Sequence, residues 1–530
     1  MRRARVFAVA VTAILVLAAL PLLASGGKES GGSAEAASGA FATHYDISMG
    51  IWEVGKAFPQ GGGPDAVRDA LYKKLNITIV PFDFGWGDDA MQKIQLWYAS
   101  NQLPDFIAGD IITKPLYEQW IKQGVVQALP SDLSPYPNVK QVVNSLKAYI
   151  TYPMGDPKGK VYGVPRGSYK NLIDNATTVG FFERKDWRIQ AGIKNAPQTL
   201  DEFKNVLRAY VKMGKVGLTA YNAQWIVALM NGYEPGVSNN VYYFIRQDGK
   251  WVPAFMSKNI LAGLKNIQSM FNEGLIDKDV TLFKAEEGLD KFFSGKAGAV
   301  GMSTDISGVD YFKKYDALNP GAKWEEVFEW VPVSPAADGK RYADTTAGFW
   351  SETYINAKAE PGKADRILHL LDFYLSTEGV NLIRNGIEGV DYSKAADGTI
   401  TPIQTKDANG KVYDDITLKY PACYLGWVAQ WSGENVLTLP GEAKAVAFEK
   451  PIFDFVRKNY KNTFTDYRLN LLQFPAKKDM TADFEVDMIQ AVLSKDIDKE
   501  WAGIVQNHLN NGYTEIIKEV NDIATAQGIK

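Results

Sequence analysis

The stretch LSTEGVNLIRNGIEGVDY, residues 375–392, decides how this chain is divided. It follows a segment, 363–376, in which Ile367, Leu368, Leu371, Phe373 and Leu375 recur mostly at helical steps, so a helix runs into it. Thr377, Glu378 and Gly379 break that helix, and a second short apolar turn follows. Gly386 and Gly389 then flank the carboxylate of Glu388, with Asp391 and Tyr392 just beyond. Glycine tolerates backbone angles that other residues avoid, so 386–392 reads as a bend or a crossing strand. A helix C-terminus followed by an ordinary loop accounts for the same residues.

Upstream, strand and helix patterns alternate. Residues 45–52 form a short alternating run, 61–64 (GGGP) a loop, and 66–75 a helix with Val67, Ala70, Leu71 and Leu75 on one side. Residues 77–80 (ITIV) are β-branched and strand-like. Strand, helix and strand with short connections make a βαβ unit, whose crossover is almost always right-handed. A helix over 88–99 and a strand over 105–108 continue the pattern as an open α/β sheet. The best-signalled helix is 199–213, where Thr199 and Glu202 have capping-box spacing ahead of Leu200, Phe203, Val206, Leu207 and Tyr210. A strand over 215–220, helices over 260–271 and 290–293, and strands over 298–302, 326–332 and 346–354 follow. The last helical stretch, 498–525, is interrupted by Asn510, Asn511 and Gly512.

At 530 residues the chain is too long for one hydrophobic core and should form two or more lobes. Hydrophobic content of 46% and charged content of 22% are ordinary for a soluble globular protein. A formal net charge of -3 provides no electrostatic footprint for nucleic acid or an anionic membrane. The single cysteine, Cys423, excludes an intrachain disulfide and any Cys-cluster zinc site. His44, His369 and His508 stand far apart in sequence and read as surface or satisfied core residues.

Arg2, Arg3 and Arg5 precede an apolar run over 6–23 and small residues over 24–27, the charged start, apolar core and small-residue exit of a secretory signal. Cleavage is expected near 24–26, or at Ala34-Glu35-Ala36. The run is long enough that an uncleaved membrane anchor competes, though Pro21 and the small residues after it favour export. Residues 27–40 read as a flexible leader rich in Gly, Ser and Ala.

Five short segments carry a resemblance. NQLPDFI (101–107), GKVYGVP (159–165), ERKDW (183–187), APQTLDEF (196–203) and FFSGKAG (292–298) occur in the order and spacing found in family 1 extracellular solute-binding proteins, in particular the long LplA-like lipoproteins that bind oligosaccharides. The stretch 375–392 resembles the segment where that family's chain crosses a hinge between lobes. The resemblance implies a periplasmic-binding-protein-like α/β fold, two lobes closing as a Venus flytrap on a three-segment hinge. The passages should fall near 166–180, 344–349 and 386–392. The N-terminal lobe is then 41–170 with 348–388, and the C-terminal lobe 171–347 with 389–530. Many relatives carry a lipid-anchoring cysteine after the signal, and none stands there in this chain, so a free periplasmic protein is expected. Many long relatives also bind calcium in a D-x-D-x-N-G loop. Only Lys212, Met213, Gly214 and Lys215 stand at that place, without an acid, so no metal site is expected there.

A sugar offers apolar C–H faces and a rim of hydroxyls, which aromatic rings and carboxylate, Arg or Asn side chains respectively bind. In an open α/β lobe the ligand lies beyond the carboxyl ends of the strands. The candidates are therefore Trp52, Glu53, Trp86, Asp110, Arg166, Tyr169, Trp225, Asp305, Trp350, Glu388, Asp391, Trp427 and Trp431. Each tryptophan has a competing role in core or lobe packing. Asp186 beside Trp187 reads as a capping or packing pair and is left out.

A glycosidase needs two carboxylates across the scissile bond, and 61 acidic residues make an accidental pair easy to find. No Ser nucleophile elbow, H-E-x-x-H or phosphate loop is present. No catalytic residue and no cofactor is expected. The resemblance implies a monomeric receptor of an ATP-driven importer, delivering an oligosaccharide to membrane permease subunits. A secreted carbohydrate-active enzyme, or a receptor for a peptide or other non-sugar ligand, remains the alternative.

Overall fold

The computed structural model describes residues 41–529 apart from 86–87, 112–114, 153–157, 168–171, 178–179, 222, 231–242, 258, 284–286, 305–310, 344–347, 397–399, 404–415, 430–439, 463–465, 467 and 470–483. The expected signal and leader, 1–40, lie outside the described residues.

The strands that frame the molecule are, in chain order, β1 (Tyr45–Trp52), β2 (Ile77–Phe84), β3 (Phe106–Gly109), β4 (Gly163–Gly167), β5 (Gly180–Arg184), β6 (Val216–Ala220), β7 (Ala297–Met302), β8 (Phe328–Val331), β9 (Arg341–Ala343), β10 (Phe349–Ile355) and β11 (Tyr460–Asn462). One sheet has the order β2-β1-β3-β10-β4, the other β8-β5-β7-β6. In the first, β1 is parallel to β2 and β3, while β10 runs against β3 and β4, so β1, β2, β3 and β4 all point one way. In the second, β7 is parallel to β6 and antiparallel to β5, which is itself antiparallel to β8. Both belong to the body Thr43–Lys530, and each is the framework of one α/β lobe.

The first lobe follows its sequence closely. The helix Ala66–Leu75 buries Val67, Leu71 and Leu75, and Asp65 caps it by accepting from the Arg68 N–H. The strand read over 77–80 extends to Phe84 because it pairs with β1 over its whole length, Trp52 opposite Phe84. All four residues of β3 are buried, as a central strand covered on both faces requires.

The second lobe is entered through the helix Leu200–Lys212. Thr199 accepts from the Glu202 N–H and Glu202 reaches back to the Thr199 N–H, completing the capping box. Gly214, at φ +74°, closes that helix, and the Lys215 N–H donates to the Tyr210 carbonyl, so the chain turns straight into β6. β7 is buried throughout, with Phe182, Phe292, Phe312 and Phe328 in the surrounding core. Burying each such ring contributes about 1.5–3 kcal/mol. The expected break at 510–512 is a kink at Asn511 and Gly512 between the helices Ile497–His508 and Thr514–Ala526.

Between β4 and β5, and between β8 and β10, the chain passes from one sheet to the other. The third passage differs from the expectation at 386–392. Ser376 accepts from the Gly379 N–H, so the residues read as a breaker also start a second helix, Thr377–Asn385. Gly386 (φ +79°) and Gly389 (φ +81°) then make a local bend. The Asp391 carboxylate accepts from the Ile387 N–H and pairs with Lys419, pinning the bend to the residues that follow it. The short helix Pro421–Val428 is tied to the first lobe at both ends. The Ala422 N–H donates to Asp65 at 2.8 Å, and the Thr353 hydroxyl donates to the Val428 carbonyl at 2.6 Å. The chain thus stays with the first lobe through Val428 and next meets the second lobe in the helix Pro440–Asn459, which packs on Leu172–Thr177. The bend at 386–392, near which a lobe passage is expected, is thus followed by a helix with these ties to the first lobe. Flexible glycines signalled a bend there, and buried polar ties keep it within one lobe.

Candidate functional site

The four co-directional strands of the first sheet end at one edge. Trp52 is the last residue of β1 and Phe84 the last of β2. Asp110 directly follows β3. Arg166 lies next to the end of β4, opposite Ser351 on β10, whose first residues, Phe349 and Trp350, return to the same edge. Strand direction alone brings together residues as distant in sequence as Trp52 and Trp350.

At this edge the Trp52 and Trp350 rings are tilted by 40° with centroids 5.0 Å apart, and Phe84 supports Trp52 at 5.3 Å. Trp52 is buried, whereas Trp350 is 39% exposed. The pair presents one open indole on a packed base. Arg166 is wholly buried behind it. Its guanidinium carbon lies 5.5 Å from the Trp52 centroid and 5.8 Å from that of Trp350. Its Nε donates to the Trp427 carbonyl and its Nη1 to the Ser351 hydroxyl, both at 2.6 Å. Burial draws the Arg166 pKa down to about 9, with the Glu352 carboxylate acting the other way, so the group stays charged at neutral pH. Glu352 is itself buried and accepts from the Tyr354 hydroxyl at 2.9 Å. Burial first, then Glu352, and lastly Asp110 hold that hydroxyl well above its usual range.

The remaining candidates divide. Glu53 begins the short helix Val54–Ala57 in a left-handed conformation (φ 55°) and pairs with Lys56 at 2.7 Å, beside the Trp52 edge. Lys56 in turn stands 5.6 Å from the Tyr424 ring, which packs on Trp427 at 4.8 Å, so the helix Pro421–Val428 adds half-buried aromatics to this side. Trp225 belongs to the second lobe, half-buried just after β6, with Tyr221 at 6.1 Å. Glu388 is exposed on the 386–392 bend, while Asp391 is buried and its carboxylate is engaged by Ile387 and Lys419. Trp86, Tyr169, Asp305 and Trp431 lie outside the described residues. Asp186, left out on sequence grounds, accepts both arms of Arg184, and Arg184 lies 4.1 Å over Trp187, a packing unit.

Sequence reasoning missed Ser351, Tyr424 and the Trp427 carbonyl. Ser351 adjoins Trp350 and its inward position follows from strand alternation, whereas a backbone acceptor leaves no side-chain signal. Among the described residues no group of three or more His, Cys, Asp or Glu side chains is placed to hold a metal ion. An exposed indole on a packed aromatic base suits the flat apolar face of a ligand.

Residues 66–268 match the family model described as bacterial extracellular solute-binding protein. Lipoprotein LipO of Bacillus subtilis (strain 168) is 24% identical over 345 residues, 63% of this chain and 64% of the relative. The polygalacturonan/rhamnogalacturonan-binding protein YtcQ of the same organism is 24% identical over 353 residues, 63% of this chain and 66% of the relative. The chain thus spans just under two thirds of the length of these curated relatives. In fold it is similar to the alginate-binding protein AlgQ2 without calcium ion, at TM-score 0.65 and 17% identity over 92% of this chain and 99% of the other. It is similar also to the S. pneumoniae ABC-transporter substrate binding protein FusA in complex with kestose, at TM-score 0.64 and 17% identity over 91% and 99%. These structural likenesses bear on the fold, which is that of solute-binding proteins with two α/β lobes. Over residues 66–268, then, this chain resembles the bacterial extracellular solute-binding proteins.

Proposed function

We propose that this protein is the solute receptor of an ABC importer, binding a carbohydrate, and specifically an oligosaccharide, between its lobes and handing it unaltered to membrane permease subunits. The observation that carries this reading is the open Trp350 ring on its buried Trp52 base, at the strand edge where an α/β lobe meets its ligand. The names of YtcQ (polygalacturonan/rhamnogalacturonan-binding) and AlgQ2 (alginate-binding), and FusA in complex with kestose, support a sugar. In this reading the second lobe contributes Trp225, and Trp86, Tyr169, Asp305 and Trp431 are further contacts. Closure then requires that the ligand bind the closed arrangement better than the open one. In this reading the protein works outside the cytoplasmic membrane as a monomer, exported by its N-terminal signal.

A thermal-shift screen against neutral and acidic oligosaccharides tests this. A ligand bound only by the folded form at about a hundred times its Kd adds about 2.7 kcal/mol, an easily read rise in melting temperature. Analysis of the ligand after incubation separates a receptor from an enzyme, since a receptor returns it intact. If no sugar shifts the midpoint while a peptide does, the carbohydrate reading is wrong.

A further inference from the structure

We propose that Arg166 is a positioning residue: it fixes the Trp52–Trp350 pair from behind and does not itself meet the ligand. This rests on reading that pair as the sugar platform. Sequence position alone makes Arg166 a candidate hydroxyl-binding donor, yet its side chain is wholly buried. Its guanidinium donates internally, to the Ser351 hydroxyl on β10 and to the Trp427 carbonyl on the helix Pro421–Val428. The guanidinium is a rigid planar fork, so two bonds at 2.6 Å from different nitrogens set the orientation of its plane. That plane stands within 5.8 Å of both ring centroids, so one group joins the end of β1, the start of β10 and the helix Pro421–Val428.

Trp350 is the member of the pair that needs such a fixture. An indole 39% exposed near a strand end depends on the neighbours behind it to select its rotamer. Ordering it on ligand arrival would cost about 0.5–1.5 kcal/mol, a cost avoided when the platform is held in advance. A charged group buried for this purpose needs bonded partners and a nearby opposite charge, which Ser351, the Trp427 carbonyl and Glu352 supply.

The test does not depend on any ligand. Two indoles at 5.0 Å couple excitonically and give a signed pair of circular-dichroism bands, isolated as the difference between the full chain and Trp350→Phe. Arg166→Met should lose about half or more of this difference, and Arg166→Lys, which keeps charge but lacks the planar fork, should lose part of it. Ser351→Ala removes one tie and leaves the guanidinium, so it decides the matter if Arg166→Met does not fold: a reduced couplet supports the proposal and an unchanged one overturns it. A full couplet in Arg166→Met also overturns it. So does a full couplet with weakened binding of cellotriose or trigalacturonate, since Arg166 would then touch the ligand. Failure of every oligosaccharide to bind would instead remove the functional reading, leaving the couplet measurement to stand by itself.

Discussion

Arg457 closes on Asp174 by two bonds, 2.9 Å from Nε and 2.7 Å from Nη2, across 283 residues of sequence. Asp174 lies in the connection from β4 to β5 and is wholly buried, while Arg457 comes from the helix Pro440–Asn459. Nearby, β9 pairs in parallel with β11, and the Val333 N–H donates to the Tyr460 oxygen at 2.8 Å. Segments flanking all three lobe passages are therefore held together beside the second sheet. Arg457→Met leaves a buried carboxylate without this partner. The expected loss is about 2–3 kcal/mol, below the range for a fully buried pair because the Arg457 side chain is 34% exposed. Urea unfolding followed by tryptophan fluorescence measures it, and Asp174→Asn combined with Arg457→Met should recover part of the loss.

Trp350→Ala removes the exposed ring of the stacked pair. Folding stability should change by less than about 1.5 kcal/mol, since the lost ring is only partly packed. Affinity for the best oligosaccharide should fall at least about tenfold, which corresponds to about 1.4 kcal/mol. Titration calorimetry gives the affinity, and an unchanged thermal midpoint shift by that sugar would show that the platform lies elsewhere.

Asp338 supplies a pH dependence with a definite sign. Its exposed carboxylate accepts from the Tyr342 hydroxyl at 2.7 Å and from the Lys340 N–H and Nζ at 3.0 Å, and in that order of importance these hold its pKa down at about 2. A folded-state pKa below the unfolded value stabilises above the unfolded pKa and loses that effect as pH falls through the folded one. The difference in melting temperature between the protein and Asp338→Asn should therefore be full above the usual aspartate range and shrink as pH falls from 3.8 toward about 2. A difference that grows on acidification in that window would contradict the assignment.

Gly298→Ala tests why a glycine occupies the second position of the buried strand β7. A Cβ there would stand 2.1 Å from Cδ2 and 2.4 Å from Cγ of Tyr210, which is itself buried and donates its hydroxyl to Glu183. The ring is wholly buried and its hydroxyl is bonded to Glu183 and to the Arg184 carbonyl. Overpacking of this kind costs about 1–3 kcal/mol, read as a lower denaturation midpoint at unchanged slope.

Much of the fold was legible because its signals are local. The helix over 66–75, the capping box at Thr199 and Glu202 and the kink at Gly512 each depend on residues within one or two turns of one another. The α/β order of strands and helices, and hence the class, followed from the same short-range periodicities. The candidate aromatics and acids at strand ends were also named from position, because strand direction puts carboxyl ends on one edge.

What tertiary structure decided is which of those residues work together. Trp52 and Trp350 form a pair only because β1 and β10 flank β3 in opposite directions. Arg166 and Asp391 carry the right chemistry in the right loops, yet one is sealed behind the rings and the other is spent on the Ile387 N–H and Lys419. The bend at 386–392 was visible as glycines, but its allegiance to the first lobe rests on bonds from Ala422 to Asp65 and from Thr353 to Val428. Periodicity and caps act over a few residues, so the amino-acid order determines them directly. Burial and pairing join residues hundreds of positions apart, and only the packed chain sets which polar group ends up facing water and which faces a partner.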